Sequence, residues 1–322
     1  MKRLVLIDGH AILHRAFHAL PPLTTSKGEM INAVFGFITM LLRVINDLKP
    51  THLIVTFDRP KPTFRKKIYE NYQAKRPKMD EGLISQIDIV HKVVSEMGIP
   101  IFEMDGYEAD DIIGTLIQRT KNKEQRTEKE DIENIIVTGD RDILQLVDAH
   151  TKVYMPVKGL SESKLYGERE VEEKFGIKAS QMVDYKALVG DPSDNYPGVA
   201  GIGPKTAASL LSQFKTLEQL YQKLDRVDNE GLRKKLKESA ESAEMAKKLA
   251  TIVTDVPIEI NLDRCQLKNF DRPNVHHLFE ELEFRSLIPR LSGGIKNNEL
   301  RSKRQKKEEK SKENKVQQTT LF

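Results

Sequence analysis

The sequence predicts an α/β fold, a parallel sheet with helices on both faces, followed by an all-helical region. Three observations lead there. Three apolar runs, Leu4-Val5-Leu6-Ile7, Leu53-Ile54-Val55-Thr56-Phe57 and Ile135-Ile136-Val137-Thr138, are each followed by a longer stretch with helical spacing, the alternation of βαβ units around a parallel sheet. After about Phe175 the strand signals fade and short helical patterns take over. Each apolar run also ends at acids: Asp8, Asp58, and Asp140 with Asp142. In open parallel sheets a ligand sits outside the carboxyl ends of the strands, so these acids fall on the expected site edge.

Between the second and third runs, Gly106-Tyr107-Glu108-Ala109-Asp110-Asp111 precedes Ile112, Ile113, Leu116 and Ile117 and reads as the first turn of a helix. The helix dipole favours acids there, which is a sufficient reason for them without any ligand. On helical geometry Glu108 and Asp111 share a face, with Asp110 alongside. Asp191 and Asp194 complete a set of nine carboxylates. Acids gathered beside buried strands are costly unless compensated, and the simplest compensation is bound divalent metal.

From Lys49 to Asp80 the chain turns basic after Asp58. Arg59, Lys61, Arg65, Lys66, Lys67, Lys75, Arg76 and Lys78 alternate with Phe64, Tyr69 and Tyr72. Bases neutralise phosphates and aromatics stack on unpaired bases, the combination that suits single-stranded nucleic acid; the alternative is a solvated basic surface. Residues 120–134 read as a helix end and solvated connector. Further on, Gly198-Val199-Ala200-Gly201-Ile202-Gly203-Pro204-Lys205-Thr206 lies between two helical patterns. Its glycines permit close approach of backbone amides to phosphate, Pro204 suits a first helical position and Lys205 adds charge. This is a helix–hairpin–helix signature for gripping duplex backbone, against the alternative of a plain inter-helix turn.

Composition bounds the reading. A chain of 322 residues exceeds one ordinary core, so two domains are expected. One cysteine, Cys265, excludes an internal disulfide and a thiolate zinc site. No apolar run has the length of a membrane span, and Asp8 and His10 interrupt the one signal-like start, so a reducing cytoplasm fits. The formal charge of +4 conceals a segregation: residues 296–316 hold nine Lys or Arg against four Glu, which leaves the remainder near neutral. Acids at one edge and bases elsewhere suit a polyanion gripped around a metal site.

Five motifs together resemble the five-prime nuclease domain of bacterial DNA polymerase I, within the flap endonuclease superfamily. They are Leu6-Ile7-Asp8-Gly9-His10, Arg15-Ala16-Phe17-His18-Ala19-Leu20, Leu23-Thr24-Thr25-Ser26-Lys27-Gly28, Gly106 to Asp111, and Gly190-Asp191-Pro192-Ser193-Asp194-Asn195-Tyr196-Pro197-Gly198-Val199. The similarity covers roughly residues 1–290. It implies a PIN-like, flap-endonuclease-type sheet with a helical arch over residues 1–174, a helix–hairpin–helix DNA-binding domain over 175–290, and a charged disordered tail over 291–322. It also implies a structure-specific 5'-3' exonuclease or 5'-flap endonuclease for primer removal and repair, cytoplasmic and nucleoid-associated. Where a polymerase-linked relative would continue, this chain passes through Ser292-Gly293-Gly294 into the charged tail, so a stand-alone, monomeric nuclease is expected.

By matching positions, Asp8, Asp58, Glu108, Asp110, Asp111, Asp140, Asp142, Asp191 and Asp194 fall on the family's acidic positions for two or more Mg²⁺ or Mn²⁺ ions. The expected split gives Asp8, Asp58, Glu108, Asp110 and Asp111 to one ion and the other four acids to a second. Arg15, Arg65 and Tyr72 are expected to face DNA. So are Gly201, Gly203, Lys205 and Thr206 of the hairpin, where relatives hold K⁺. Relatives carry a Lys directly after the tyrosine of Tyr72-x-x-x-Arg76; this chain has Gln73, so Lys75 or Arg76 is expected to supply that charge. The stretch Gln318-Thr319-Thr320-Leu321-Phe322 resembles the Gln-x-x-Leu-Phe peptide that docks on the sliding clamp, through Gln318, Leu321 and Phe322. The competing readings are a related metal-dependent ribonuclease and a catalytically weakened flap- and clamp-binding adaptor, the second suggested by Gln73 alone.

Overall fold

The computed structural model describes residues 2–121, 131–159 and 162–292. In chain order the α/β part comprises β1 (Lys2–Asp8), α1 (Gly9–Ala19), α2 (Asn32–Leu48), β2 (His52–Thr56), α3 (Phe64–Ile68), α4 (Glu81–Glu96), β3 (Ile101–Phe102), α5 (Ala109–Lys121), β4 (Ile132–Val137), β5 (Thr151–Lys158) and β6 (Glu162–Tyr166). The helical part comprises α6 (Glu168–Phe175), α7 (Met182–Val189), the two-residue strands β7 (Gly190–Asp191) and β8 (Tyr196–Pro197), α8 (Pro204–Phe214), α9 (Leu217–Gln222), α10 (Glu230–Glu238), α11 (Ala240–Ala250), α12 (Pro273–Glu281) and α13 (Ile288–Leu291).

All three apolar runs are strands. The sheet order is β3-β2-β1-β4-β5-β6, and every pair is parallel except β5 with β6. Leu6 is level with Ile54 on one side and with Ile136 on the other, so successive residues of the central strands feed two cores. Leu4, Leu6, Ile54 and Ile136 face one; Val5, Ile7, Leu53, Val55, Ile135 and Val137 face the other. Burial on both faces is why these strands read as unbroken apolar runs. The first core is closed by α5 together with Leu188 of α7, Leu211 of α8 and Ala246 of α11. The second is closed by α1, α2 and α4, and also by Val275 and Phe279 of α12. Among the described residues no helix is long and apolar enough to cross a membrane.

Two features depart from the sequence reading. β5 and β6 were not foreseen, because β6 lies at the sheet edge and alternates polar residues into solvent. The expected helical arch is here the five-residue α3 followed by consecutive turns, closed by Tyr72 N to Tyr69 O at 2.9 Å, Ala74 N to Asn71 O at 3.0 Å and Arg76 N to Gln73 O at 3.0 Å. Gln73 adopts φ 56, the left-handed region that ends a helix, and Pro77 keeps Arg76 from restarting one.

Candidate metal centre

Asp8 ends β1 and caps α1. Its Oδ1 accepts from Ala11 N at 3.0 Å and its Oδ2 from Thr138 Oγ1 at 2.8 Å. Burial, reinforced by the charge of Asp58, nevertheless raises its pKa to about 7. Asp58, just past β2, accepts from Ala109 N at 2.7 Å and so fixes the first turn of α5 against the strand end; its own N–H donates to His10 Nδ1 at 3.0 Å. Asp110 in that turn is pushed well above the usual carboxylate range by burial, then by Asp140, Asp8 and Asp58. Burial also lifts Glu108 to about 7, against the opposing charge of Arg65. The Asp140 N–H donates to Thr138 Oγ1 at 3.0 Å, and Asp140 Oδ1 accepts from Asp142 N at 2.9 Å.

A second group forms where α7 gives way to β7. Carboxylate oxygens of Asp142, Asp191 and Asp194 lie within 4.8 Å of one another, in a pocket of about 350 Å³. The backbone there admits only glycine: Gly190 has φ 77, and a Cβ on it would lie 2.4 Å from Gly198 N. That contact holds the short hairpin of β7 and β8 closed and presents Asp191. Burial works to raise Asp191, but its bonds to Lys186 and Ser193 prevail and hold it below the usual range. Asp142 is raised to about 7 by burial and by Asp140. Asp194 is raised by burial, against the charge of Arg76.

Three of the expected site residues are engaged inside the protein. Asp111 is fully buried and bonded to Arg65 by two parallel contacts, Nη1 to Oδ2 at 2.7 Å and Nη2 to Oδ1 at 2.8 Å. It also accepts from Glu108 N at 3.0 Å and Val253 N at 3.1 Å, so its oxygens have no capacity left for a metal. Arg65 is 3% exposed and additionally donates to Leu249 O and Thr251 O at 2.9 Å, which makes it a tie between α3, α5 and the end of α11. Tyr72, also 3% exposed, stacks on Tyr196 at 6.4 Å and donates toward Glu108 and Asp194, at 3.4 and 3.3 Å.

Other expected residues lie at the rim. Arg76 pairs with Asp194 at 3.1 Å, and Gln73 Nε2 donates to the same carboxylate at 3.1 Å, while Lys75 is solvent-exposed. Arg59 and Lys61 are engaged with Glu103 and Asp105. Arg15 donates to Gly159 O at 2.9 Å. Helices α7 and α8 flank the glycine turn as expected; Gly201 has φ 77, Gly203 caps α8, Lys205 is exposed and Thr206 is half-buried. Gln318, Leu321, Phe322 and the expected tail lie outside the described residues.

The sequence reasoning also passed over two residues of the site. Lys186 Nζ is 2.5 Å from Asp142 Oδ1 and also contacts Asp191 Oδ2. Its sole signal was a lysine one turn before Gly190-Asp191, on a mostly apolar helix. Tyr196 is 3% exposed and its hydroxyl has no hydrogen-bond partner. An all-carboxylate donor set with an orphaned buried hydroxyl beside it fits a hard, oxygen-seeking divalent cation with bound water.

The first part of the chain, residues 3–176, matches the family description "5'-3' exonuclease, N-terminal resolvase-like domain", and residues 177–273 match "5'-3' exonuclease, C-terminal SAM fold". Over 291 residues the chain is 41% identical to DNA polymerase I of Caldicellulosiruptor bescii, covering 90% of this chain and 33% of that one. It is 40% identical over 290 residues to DNA polymerase I of Bacillus subtilis, covering 90% and 32%. It thus spans about a third of the length of these curated relatives. Among solved structures, the T5 D15 protein co-crystallised with metal ions shares the fold with TM-score 0.64 at 16% identity, over 88% of this chain and 99% of that one. The catalytic core of Rad2 in complex with DNA substrate does so with TM-score 0.51 at 17% identity, over 90% and 92%. With both halves of the family pattern matched in order, the chain belongs to the 5'-3' exonuclease family.

Proposed function

We propose that this chain hydrolyses DNA phosphodiesters where a 5' single strand leaves a duplex, as a 5'-3' exonuclease and 5'-flap endonuclease using Mg²⁺ or Mn²⁺. The observation that carries the reading is a group of eight acids whose charges act on one another, six at the ends of β1, β2 and β4 and the start of α5 and two on the β7–β8 hairpin, three of the eight with oxygens within 4.8 Å, while the ninth acid is held by Arg65. Asp8, Asp58, Glu108 and Asp110 would hold one cation, and Asp142, Asp191 and Asp194 a second. Asp140, whose charge acts on Asp110, Asp142 and Asp194, stands between them. Bound there, two ions roughly 4 Å apart would polarise the phosphate and lower the pKa of an attacking water.

The protein's own part is positional. Thr138 and Ala11 N aim Asp8, Ala109 N aims Asp58, and Ser193 aims Asp191. Arg76, adjoining Asp194, is the base closest in role to the family's missing lysine and would neutralise the phosphate as it enters. In this reading residues 1–174 form the nuclease domain and 175–290 the duplex-binding domain. The turn from Gly201 to Thr206 grips duplex phosphates without reading sequence, with K⁺ as its bound ion. Gln318, Leu321 and Phe322 dock on the sliding clamp, and the protein works as a monomer on the nucleoid.

A duplex with a labelled 5' flap, incubated with and without Mg²⁺, tests the reading. Cleavage at the junction that depends on the ion is expected, and abolished by Asp110→Asn. Tight binding without cleavage would favour the adaptor, and cleavage confined to RNA would favour the ribonuclease.

A further inference from the structure

Helix α7 buries Met182, Tyr185, Ala187 and Leu188 together with Asp184, which Lys247 meets at 2.6 Å, and it places its one lysine in the acidic pocket. The Lys186 side chain is 18% exposed, and its ammonium bridges two of the three clustered carboxylates, Asp142 at 2.5 Å and Asp191. The third, Asp194, is met instead by Arg76 and Gln73. A divalent ion binds carboxylate oxygen at about 2.0–2.6 Å, so an ion shared by Asp142 Oδ1 and Asp191 Oδ2 would coincide with the lysine nitrogen. Two cations at that separation in a partly buried site repel strongly, and only one can stay. The orphaned Tyr196 hydroxyl near these acids is a further polar atom that the lysine leaves unpaired.

We infer that Lys186 is a resident cation that holds Asp142 and Asp191 together without metal and is displaced when a divalent ion enters between them, so that this lysine sets the affinity of that site. The inference rests on the metal reading above. Its consequence is a built-in inequality: among the described residues the site of Asp8, Asp58 and Asp110 has no ammonium wedged between its acids, since Arg65 reaches Glu108 only at 3.4 Å and is held by Asp111, so its ion binds first, while the ion beside Asp191 binds only against the lysine.

Calorimetric titration of the full chain with Mn²⁺ tests this. Wild type is expected to show two classes of site, and Lys186→Met to tighten the weaker class at least tenfold while leaving the stronger unchanged. An unchanged or weakened second class in Lys186→Met, with wild type binding two ions, would overturn the displacement and spare the metal reading; no Mn²⁺ binding by wild type would overturn both. A measurement on the unaltered protein guards against a misfolded variant: reductive methylation read by mass spectrometry at Lys186. Labelling is expected to rise at least tenfold from EDTA to saturating Mn²⁺, and equal labelling in the two conditions would sink the inference.

Discussion

Asp110 and Asp111 are consecutive residues of one helical turn, but they belong to two regions that treat negative charge in opposite ways. Asp111 lies in a closed seam, where Arg65 and two backbone amides meet every oxygen. Asp110 lies on the open edge, where the charges that act on it are those of other acids, Asp140 and Asp8 foremost. An acid with a fixed internal partner is part of the scaffold; one surrounded by like charge stores unfavourable energy that a ligand can release. The difference separates structural from functional carboxylates without reference to how much either is buried.

The largest expected effect breaks the open side. Asp110→Asn should lower flap cleavage on the order of a thousandfold or more, since a bound cation contributes several kcal/mol to the transition state. The same change should leave the metal-free fold as stable as before or more so. A variant that unfolds would place Asp110 in the seam's class.

Next comes the closed side. Arg65→Ala strands a buried carboxylate and should cost about 3–5 kcal/mol in urea unfolding, whereas Arg65→Met with Asp111→Leu should recover only part of that loss, because Glu108 N, Val253 N, Leu249 O and Thr251 O would then lack these partners. If Arg65→Ala instead melts like wild type and merely binds DNA more weakly, Arg65 is a substrate contact after all.

The two regions also differ in pH response. Asp8, Glu108 and Asp142 hold protons up to about 7 in the folded chain, while an unfolded carboxyl releases its proton near 4. Between those values the folded state binds more protons, so in EDTA the melting temperature should fall as pH rises from about 4 to about 7, then level off. Mg²⁺ should flatten that slope, and a slope indifferent to Mg²⁺ would mean that these acids are not its binding site.

The smallest effect concerns the rim. Arg76→Ala should slow cleavage roughly tenfold and Lys75→Ala less than threefold, because one base pairs with Asp194 and the other is solvent-exposed. The reverse order, or a sharp gain from Gln73→Lys, would return the missing charge to the turn that carries Gln73.

Much of this was legible in the chain because the central strands are buried on both faces and each ends in an acid. The Gly-Asp-x-x-Asp stretch and the hairpin glycines were legible for a similar reason, since few residue types satisfy their backbone. β6 was hidden because an edge strand carries no apolar signature. Asp110 and Asp111 were indistinguishable because the partner that separates them, Arg65, lies 46 positions away from Asp111. The same remoteness made Arg65 and Tyr72 look like surface bases and stacking rings: their burial is created by Thr251, Tyr196 and Asp194, which the local sequence cannot reveal. Lys186 was overlooked because a solitary lysine on a helix is ordinary until the fold shows what it faces.

The return of α12 onto α4 has a consequence for the newborn protein. Val275 and Phe279 complete the core beneath Val90 and Val93, and Leu267 N closes onto Thr51 O at 2.9 Å. The face packed by α1, α2 and α4 therefore lacks its last covering helix until α12, far later in the chain, has been translated. A fragment cut after the α/β part should come out insoluble or chaperone-bound even though it carries six of the eight acids, at the ends of β1, β2 and β4 and the start of α5, and every strand of the main sheet.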